Sequence, residues 1–552
     1  MPGSVALHVE VLPSKSGPPQ GTIFLVAGGP GQGSARSFDL RDPSYASFFG
    51  SLFPGWTLVA FDDRGTGDSG LLDCPALDYA EQTNPAADQS PSLIGGCADA
   101  LGPARDFYAT GDDVDDIDAV RQALGVDRIA IYGVSYGTKL ALAYAAAYPD
   151  RVERLLLDSV VPLDRPDPFA TDELEAMPGT LAAYCPGSSC SAATPDFPGD
   201  VVALANALAA APLVGSVALA KGRTNVRLGA ADFLQLVLSA DLQPGLAAEL
   251  PAAVRAARRG QPRPLLRLDE IALQGSIGVP SDLSLALYLA TTCHDVPFPW
   301  QPQTPLGERA SSLQATLAAA PGGLLGPFGP WASAIGPAST CLGWPSPAGG
   351  TVLAPHAFPD VPVLALSGGL DFRTPTSWAA SVVAQFPQGH LLVVPGVGHS
   401  ALTMDPSGCS QRVVLHWMYG ATPPASCPRA KPLVTTVPAY PTHSPARLDA
   451  GATRSLAGLT LHDAEAIWLL AAGSGSGGLT APGLDGGSVD AYRTSFVLER
   501  YAIAPGLTLS GVVRVSRAGA PVGFSGKVTV GGSAAAHERL TLRDGALVGS
   551  GG

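Results

Sequence analysis

The sequence contains little charge and very little lysine. Asp, Glu, Lys and Arg make up 14% of the 552 residues, and the formal net charge is −14. Only five lysines are present, at positions 15, 139, 221, 431 and 527, and no run of basic residues occurs. Nucleic acid and anionic membrane surfaces are contacted through such basic patches. We therefore expect neither as a partner.

Several familiar patterns are also missing. No stretch of 18 apolar residues is present, so the sequence predicts no membrane-spanning helix. The N-terminal residues lack the basic and apolar regions of a secretory signal peptide. No C-x-x-C spacing occurs, which gives no reason to predict a metal site.

The eight cysteines form an even set, which is compatible with four disulfides. The alternative is that they are buried free thiols of an intracellular enzyme. Because disulfides persist in oxidising compartments, paired cysteines would indicate a secreted or cell-envelope protein whose leader is not part of this chain. We predict pairing between neighbours along the chain: Cys74–Cys97, Cys185–Cys190, Cys293–Cys341 and Cys409–Cys427.

Apolar strands alternate with helical patterns in two separated parts of the chain. This alternation is typical of an α/β fold, with a mostly parallel sheet covered by helices. A helix at 408–419 is predicted to close the second part. The predicted strands are 4–12, 22–28, 56–61, 128–133 and 152–158 in the first part, and 361–367 and 390–395 in the second.

The composition divides the chain into four predicted regions. Residues 1–162 and 351–430 form the α/β core. Residues 163–350 are Ala/Leu-rich, lack the strand–helix alternation, and are predicted to be a helical cap inserted into the core. A Pro-rich linker follows at 431–447, and residues 448–552 are predicted to be a small β-rich C-terminal region.

A G-x-S-x-G pentapeptide at 133–137 lies between an apolar strand and a helix-like stretch, 140–147. This is the setting of a nucleophile elbow, in which a sharp turn presents the serine hydroxyl. The two glycines remove side chains that would clash within the turn. The pattern predicts Ser135 as a nucleophile. The alternative is a glycine-rich turn whose serine caps the helix.

A serine nucleophile needs a base, and the base needs a carboxylate that orients it. In an α/β-hydrolase these follow the serine in the order acid, then base, at the ends of later strands. Asp371 follows the strand at 361–367, and His399 follows the strand at 390–395. The order and the strand ends predict a triad of Ser135, Asp371 and His399.

Other roles for these residues remain open. Asp371 could begin a turn before Pro375. His294 is the rival for the base, although it precedes the Asp371 strand and so breaks the expected order. His416 lies on the closing helix, where packing is the expected role.

The reaction also needs donors for a developing oxyanion. One is predicted to be the backbone N–H of Tyr136, directly after the nucleophile. The other is expected from the glycine loop after the strand at 22–28. Pro30 has no N–H, so Gly29 or Gly31 would donate, and we choose Gly29. A plain glycine turn or a phosphate loop is the alternative, but the Gly-Lys-Ser/Thr ending of a phosphate loop is missing.

These motifs resemble the prolyl aminopeptidase and tripeptidyl aminopeptidase family of serine exopeptidases. The resemblance covers roughly residues 5–430 and is closest to the secreted tripeptidyl-aminopeptidase-like branch. Ala27 stands where relatives usually carry His or Pro, and the region after about 445 falls outside the resemblance. The motifs are GGPG at 28–31, DRGTGDS at 63–69, GVSYGT at 133–138, TCHD at 292–295, GLD with TP at 369–375, and GH at 398–399.

The resemblance implies an α/β-hydrolase with a helical cap that cleaves short peptides from a free N-terminus, without a cofactor or metal. The loop at 63–65 would be structural. A substrate ammonium group needs a carboxylate, and the resemblance points to Asp295. The cap acids Asp172, Glu173 and Glu175 are further candidates, unless they are merely solvated. A carboxylesterase or lipase is the alternative function, and a non-catalytic binding protein on the same scaffold is a third.

Overall fold

The computed structural model describes residues 4–15, 17, 19–83, 90–219, 222–276, 279–347, 357–441, 447–473, 478, 480–516, 521–543 and 546–549. The strands are β1 (Val9–Leu12), β2 (Thr22–Val26), β3 (Thr57–Phe61), β4 (Ile129–Val134), β5 (Val152–Asp158), β6 (Leu213–Leu219), β7 (Gly222–Leu228), β8 (Val363–Gly368), β9 (Gly389–Val394), β10 (Thr480–Pro482), β11 (Gly486–Tyr492), β12 (Ser495–Ala502), β13 (Thr508–Ser516), β14 (Gly523–Gly531), β15 (Glu538–Arg543) and β16 (Ala546–Gly549).

The α-helices of the described residues include several that are only about one turn long. They are α1 (Ser34–Phe38), α2 (Pro43–Leu52), α3 (Pro75–Thr83), α4 (Pro91–Leu101), α5 (Thr110–Ala123), α6 (Tyr136–Ala147), α7 (Thr171–Tyr184), α8 (Phe197–Ala210), α9 (Ala230–Leu238), α10 (Pro244–Arg258), α11 (Arg263–Ser276), α12 (Leu285–Asp295), α13 (Leu306–Ala319), α14 (Pro337–Thr340), α15 (Thr376–Val383), α16 (Ala401–Met404), α17 (Cys409–Met418) and α18 (Ala450–Gly473).

The chain divides into two units. Unit 1 comprises Met1–Ala176 and Gly278–Arg429, and unit 2 comprises Met177–Ile277 and Ala430–Gly552.

Unit 1 is built on a seven-stranded sheet in the order β1-β3-β2-β4-β5-β8-β9. Only β1 runs antiparallel to its neighbour, and the other strand pairs are parallel. Every residue of β2 is buried, because a parallel strand covered on both faces can be apolar throughout. Apolar residues of α5, such as Ile117, pack with the sheet in one core. The predicted mostly parallel α/β sheet is confirmed.

Unit 2 contains a second, antiparallel sheet of seven strands in sequential order, β10 to β16. The C-terminal region is therefore β-rich, as predicted. Its long helix α18 contacts α10, α11 and several strands of this sheet. A hairpin formed by β6 and β7 also belongs to unit 2. Neither α18 nor this hairpin was predicted. In the case of α18, the helix is apolar on most sides and lacks the clear amphipathic stripe from which a helix is recognised in a sequence.

The units divide the chain differently from the predicted regions. The predicted cap, 163–350, is shared between the two units, and 177–277 forms one unit with the predicted linker and C-terminal region. Part of the linker, 442–446, lies outside the described residues. Its described part is a strap in which Val437 donates its N–H to the Ala248 carbonyl at 2.9 Å. Such long-range pairing leaves no local pattern in a sequence.

The cysteines pair as predicted. Three disulfides lie within unit 1, namely Cys74–Cys97, Cys293–Cys341 and Cys409–Cys427, and Cys185–Cys190 lies within unit 2. Among the described helices, none has the length and apolar character needed to cross a bilayer.

Helix α10 approaches α18 closely at Gly245, and this contact yields a prediction. A Cβ at Gly245 would lie 2.4 Å from both the Ala466 carbonyl oxygen and the Leu470 nitrogen. We expect Gly245→Ala to lower the free energy of unfolding by about 1–3 kcal/mol, because backbone atoms cannot move aside easily. Thermal unfolding measures this. Gly458→Ala, in α18 with no atom within 4 Å, is the control and should be neutral or slightly stabilising. Equal unfolding temperatures for the two variants would contradict the packing argument.

Candidate active site

Ser135 occupies a strained turn between β4 and α6. Its backbone has φ 54° and ψ −123°, a conformation that costs a residue with a side chain about 1–3 kcal/mol. A Cβ at Gly133 would lie 2.4 Å from the Gly137 oxygen, and one at Gly137 would lie 2.4 Å from the Val26 oxygen. Both glycines of the pentapeptide are therefore required by packing. The turn has the strand–turn–helix geometry of an elbow.

The glycine loop lies directly against this turn. A Cβ at Gly28 would be 3.0 Å from the Ser135 Cβ. Gly29 has φ 109°, a backbone conformation that favours glycine. Tyr136 is the first residue of α6, so its N–H has no acceptor within the helix. The structure thus brings together the loop and the elbow from which the two oxyanion donors were predicted.

Asp371 and His399 contact each other in the loops that follow β8 and β9. The His399 Nδ1 lies 2.9 Å from the Asp371 Oδ2, and the two side chains are 6% and 0% exposed. Thr374 donates its hydroxyl to Oδ2 at 2.6 Å and its N–H to Oδ1 at 2.9 Å. Burial by itself would raise the pKa of Asp371, but His399 and Thr374 hold it below its usual value. An ionised Asp371 orients a neutral imidazole with its proton on Nδ1, so that Nε2 is an acceptor.

Residues at the end of β5 accept hydrogen bonds from the loop that carries His399. Asp158 accepts the N–H of Ala401 at 2.8 Å and that of Leu402 at 2.9 Å. Ser159 accepts the N–H of Ser400 at 2.8 Å. Burial raises the pKa of Asp158 to about 6, although these N–H donors and His399 oppose the shift. The sequence analysis assigned Asp158 no role, but a polar Asp-Ser pair ending an apolar strand was a visible signal.

Asp295 is already paired within unit 1. It accepts hydrogen bonds from Lys139 Nζ at 3.0 Å and from the Thr110 hydroxyl and N–H. Burial alone would raise the pKa of Asp295, but Lys139 and the hydrogen bonds lower it to about 2. His294, the rival base, lies beside it, with Nδ1 3.4 Å from Oδ1. Both oxygens of Asp295 thus have protein partners.

The acids of the first turns of α7 differ in their surroundings. Asp172 accepts the Trp378 indole N–H at 2.6 Å, and Glu175 is exposed. Glu173 has a buried oxygen, Oε2, with no hydrogen-bond partner among the described residues. Burial, and then the charge of Asp167, raise the pKa of Glu173. Of these acids, Glu173 is the one with a buried oxygen that lacks a hydrogen-bond partner among the described residues.

Glu173 is electrostatically connected to the surroundings of the elbow through Tyr288. The charges of Arg373 and Glu173 both act on the Tyr288 phenol. Tyr288 lies one turn after Ser284, whose N–H donates to the Gly31 carbonyl of the glycine loop at 2.9 Å. Its phenol is therefore within the electrostatic range of Arg373, in the loop that carries Asp371, and of Glu173 on α7.

One group of potential metal-ligand atoms lies at the edge of the same sheet. His8, Asp62 and Asp68 bring such atoms within 4.8 Å of one another. Asp62 accepts the N–H groups of Arg36 and Asp68, each at 3.0 Å. The Arg41 guanidinium lies 2.8 Å from the His8 Nε2. The group is thus engaged by an arginine and backbone donors, and we assign it no metal.

Family comparisons agree with this geometry. Residues 21–182 match the family model of the alpha/beta hydrolase fold, and residues 328–427 match the model described as TAP-like protein. Unit 1 thus has the α/β-hydrolase fold. The first match contains Ser135, and the second contains Asp371 and His399.

The chain is also similar to several curated proteins named as peptidases. It is 32% identical over 157 residues to the tripeptidyl aminopeptidase of Streptomyces coelicolor, covering 26% of this chain and 28% of that protein. It is 29% identical over 191 residues to serine protease Hip1 of Mycobacterium bovis, covering 32% of this chain and 35% of that protein. It is 30% identical over 161 residues to a probable proline iminopeptidase of Leptolyngbya boryana, covering 29% of this chain and 38% of that protein. The chain thus spans about a third of the length of these relatives, and the resemblance to their family is confirmed.

The pKa of Asp158 gives a prediction about stability and pH. In the unfolded chain an aspartate loses its proton near pH 4, whereas Asp158 keeps it up to about 6 when folded. Between these values the folded state binds the extra proton, so the free energy of unfolding falls as pH rises. Asparagine does not titrate. We expect the free energy of unfolding of Asp158→Asn to gain about 2 kcal/mol relative to that of the wild type between pH 4 and pH 7.

Unfolding by urea at the two pH values measures this difference. Asp150→Asn, at an exposed position, is the matched control and should show no such change. A difference between Asp158→Asn and the wild type that is constant with pH would contradict the assignment.

Proposed function

We propose that the chain is a serine hydrolase that releases short peptides or residues from the free N-terminus of peptides. The observation that carries the proposal is the strained Ser135 at the elbow, combined with a buried Asp371–His399 pair on the loops after later strands. The names of the curated relatives, which include tripeptidyl aminopeptidase and proline iminopeptidase, support the aminopeptidase class.

In this proposal Ser135 attacks the scissile carbonyl carbon while His399 Nε2 takes the hydroxyl proton. Asp371 holds the imidazole and stabilises the imidazolium that forms. The backbone N–H groups of Gly29 and Tyr136 bind the developing oxyanion, a type of contact whose loss costs about 10²–10³ in rate. His399 returns the proton to the leaving amine, and water then hydrolyses the acyl-enzyme by the reverse route.

The substrate ammonium group needs a carboxylate partner, and we propose Glu173. The sequence analysis chose Asp295, but Lys139 and Thr110 occupy that carboxylate. Glu173 has a buried oxygen without a partner among the described residues. Burial disfavours its ionised form, and an arriving ammonium ion would favour that form by direct pairing. Such a site binds a free N-terminus better than a blocked one.

A first prediction concerns the nucleophile. We expect Ser135→Ala to lower the rate of hydrolysis of a free-amine tripeptide p-nitroanilide by about 10⁴-fold or more, because no other group supplies the attacking oxygen. Ser51→Ala, at an exposed serine of α2, is the control and should retain wild-type activity. Hydrolysis that survives in Ser135→Ala would remove the proposed mechanism.

A second prediction concerns the ammonium partner. Glu173→Gln should raise KM for the free-amine tripeptide p-nitroanilide by about 10- to 100-fold, because a charge-assisted hydrogen bond is lost. Hydrolysis of p-nitrophenyl acetate, which has no ammonium group, should change less than about twofold. Glu175→Gln, two residues along the same helix and exposed, is the matched control.

The outcomes separate the alternatives. If Glu173→Gln raises KM equally for the tripeptide p-nitroanilide and for p-nitrophenyl acetate, Glu173 does not bind the ammonium group. If N-acetylation of the tripeptide leaves the wild-type rate unchanged, the aminopeptidase proposal is wrong. Preference for esters over free-amine peptides would then favour a carboxylesterase.

A further inference from the structure

Two buried carboxylates beneath the elbow have no part in the mechanism described above. Asp63 follows β3, and Asp113 lies in the first turn of α5; they are 6% and 2% exposed. In each, Oδ1 is buried and has no hydrogen-bond partner among the described residues. Buried acids are costly unless they are hydrogen-bonded, so their presence here needs an explanation.

Asp113 contacts the side chain of the residue that supplies one proposed oxyanion donor. The Tyr136 phenol donates a weak hydrogen bond to Asp113 Oδ2 at 3.5 Å and lies 2.8 Å from the Thr110 hydroxyl. That hydroxyl donates to Asp295, which pairs with Lys139. The Tyr136 phenol is therefore held by two residues of α5, and Asp295 of α12 acts on it through Thr110. Anchoring the ring at its hydroxyl restrains Tyr136, whose backbone carries the N–H.

Asp63 is connected to the other donor segment. The Ser34 side chain acts on the Asp63 carboxylate, where it opposes the rise in pKa that burial causes. Ser34 is fully buried, and its Oγ accepts the Ala27 N–H at 2.9 Å. Ala27 immediately precedes the glycine loop that carries Gly29. The two acids thus reach the two sides of the proposed oxyanion site through one intermediate residue each.

We propose that Asp63 and Asp113 are positioning residues that hold these two segments in register, Asp63 through Ser34 and Asp113 through Tyr136. This inference rests on the proposed hydrolytic function. Neither acid touches the substrate. Their effect is on where the two N–H groups point when negative charge develops on the carbonyl oxygen.

The electrostatics of the pair add a consequence for the pH dependence of the reaction. Burial raises the pKa of both acids. The charges of Asp116 and Asp62 raise that of Asp63 further, and the charge of Asp63 raises that of Asp113. The pair therefore keeps a proton at a pH where exposed acids are ionised. When that proton is lost, two negative charges lie beneath the oxyanion site and oppose the developing charge. The charged and titratable groups that face the pair are Asp62, Arg64, Asp116, Asp295 and Tyr136, with Asp112, Lys139 and His294 next to these.

The test compares Asp113→Ala and Asp113→Asn with the wild type in the hydrolysis of p-nitrophenyl acetate. For Asp113→Ala we expect kcat to fall about 10- to 100-fold while KM changes less than about twofold, because oxyanion contacts act in the transition state. Asparagine resembles the protonated acid and should restore kcat to within about threefold of the wild type. Its rate should also lack the decline at high pH that the wild type shows as the pair loses its proton.

Asp115→Asn is the matched control, since Asp115 is exposed on the same helix and its carboxylate accepts the Tyr148 hydroxyl at 2.8 Å. It should retain both the wild-type kcat and the wild-type pH profile. Thermal unfolding is measured in parallel for each variant. If Asp113→Ala does not fold, Tyr136→Phe removes only the hydroxyl and should lower kcat about threefold to tenfold with KM unchanged.

The following results would overturn the inference. One is an Asp113→Ala variant that melts earlier but has wild-type kcat, since this would make the acid purely structural. Another is an Asp113→Asn variant with the same decline at high pH as the wild type. An unchanged kcat in Tyr136→Phe would also overturn it.

Ser135→Ala separates this failure from failure of the proposed function. If ester hydrolysis survives in Ser135→Ala, the proposed function is wrong and this inference falls with it. If Ser135→Ala is inactive while the Asp113 variants match the wild type, only the positioning role is wrong.

Discussion

The left-handed backbone of Ser135 is the constraint on which unit 1 depends. A residue with a side chain adopts φ 54° only where its neighbours leave no alternative. Here Gly133 and Gly137 admit the close approach of backbone atoms, and Gly28 lets the glycine loop lie against the serine. The turn therefore does more than expose one hydroxyl. It fixes where α6 begins, and with it the direction of the Tyr136 N–H.

Three buried acids show how the same side chain takes different roles in one unit. Asp371 has hydrogen-bond donors and the imidazole of His399, which together hold its pKa low despite burial. Asp158 also has backbone donors, but burial prevails and its pKa rises to about 6. Asp113 has one weak donor among the described residues, and burial, then the charges of other acids, raise its pKa. The number of donors and the sign of the nearest charge decide which acid is ionised beside the histidine.

The parts of the fold that could be predicted are those that produce a local pattern in the sequence. Apolar strands and the residues that follow them gave the order of Ser135, Asp371 and His399 along the sheet, because the ends of parallel strands share one edge. The ammonium partner could not be chosen in this way. Asp295 belongs to a family-like motif, but only distances reveal that Lys139 already neutralises it. The sequence showed a polar Asp-Ser pair at the end of β5, but the role of Asp158 needed coordinates, since its N–H donors lie more than 240 residues away.

Unit 2 explains why region boundaries are harder to predict than strands. Arg267 forms a fully buried ion pair with Asp463, with Nη2 and Oδ1 in direct contact, and Tyr501 and Tyr440 donate to the same carboxylate. A buried ion pair is unfavourable unless both partners are held in place together, so α11 and α18 cannot separate without exposing an uncompensated charge. This makes two segments that are almost 200 residues apart one cooperative unit. The composition of these segments indicates only a helical stretch and a glycine-rich tail. It cannot predict that they form one unit, because the interaction that joins them involves one arginine and one aspartate.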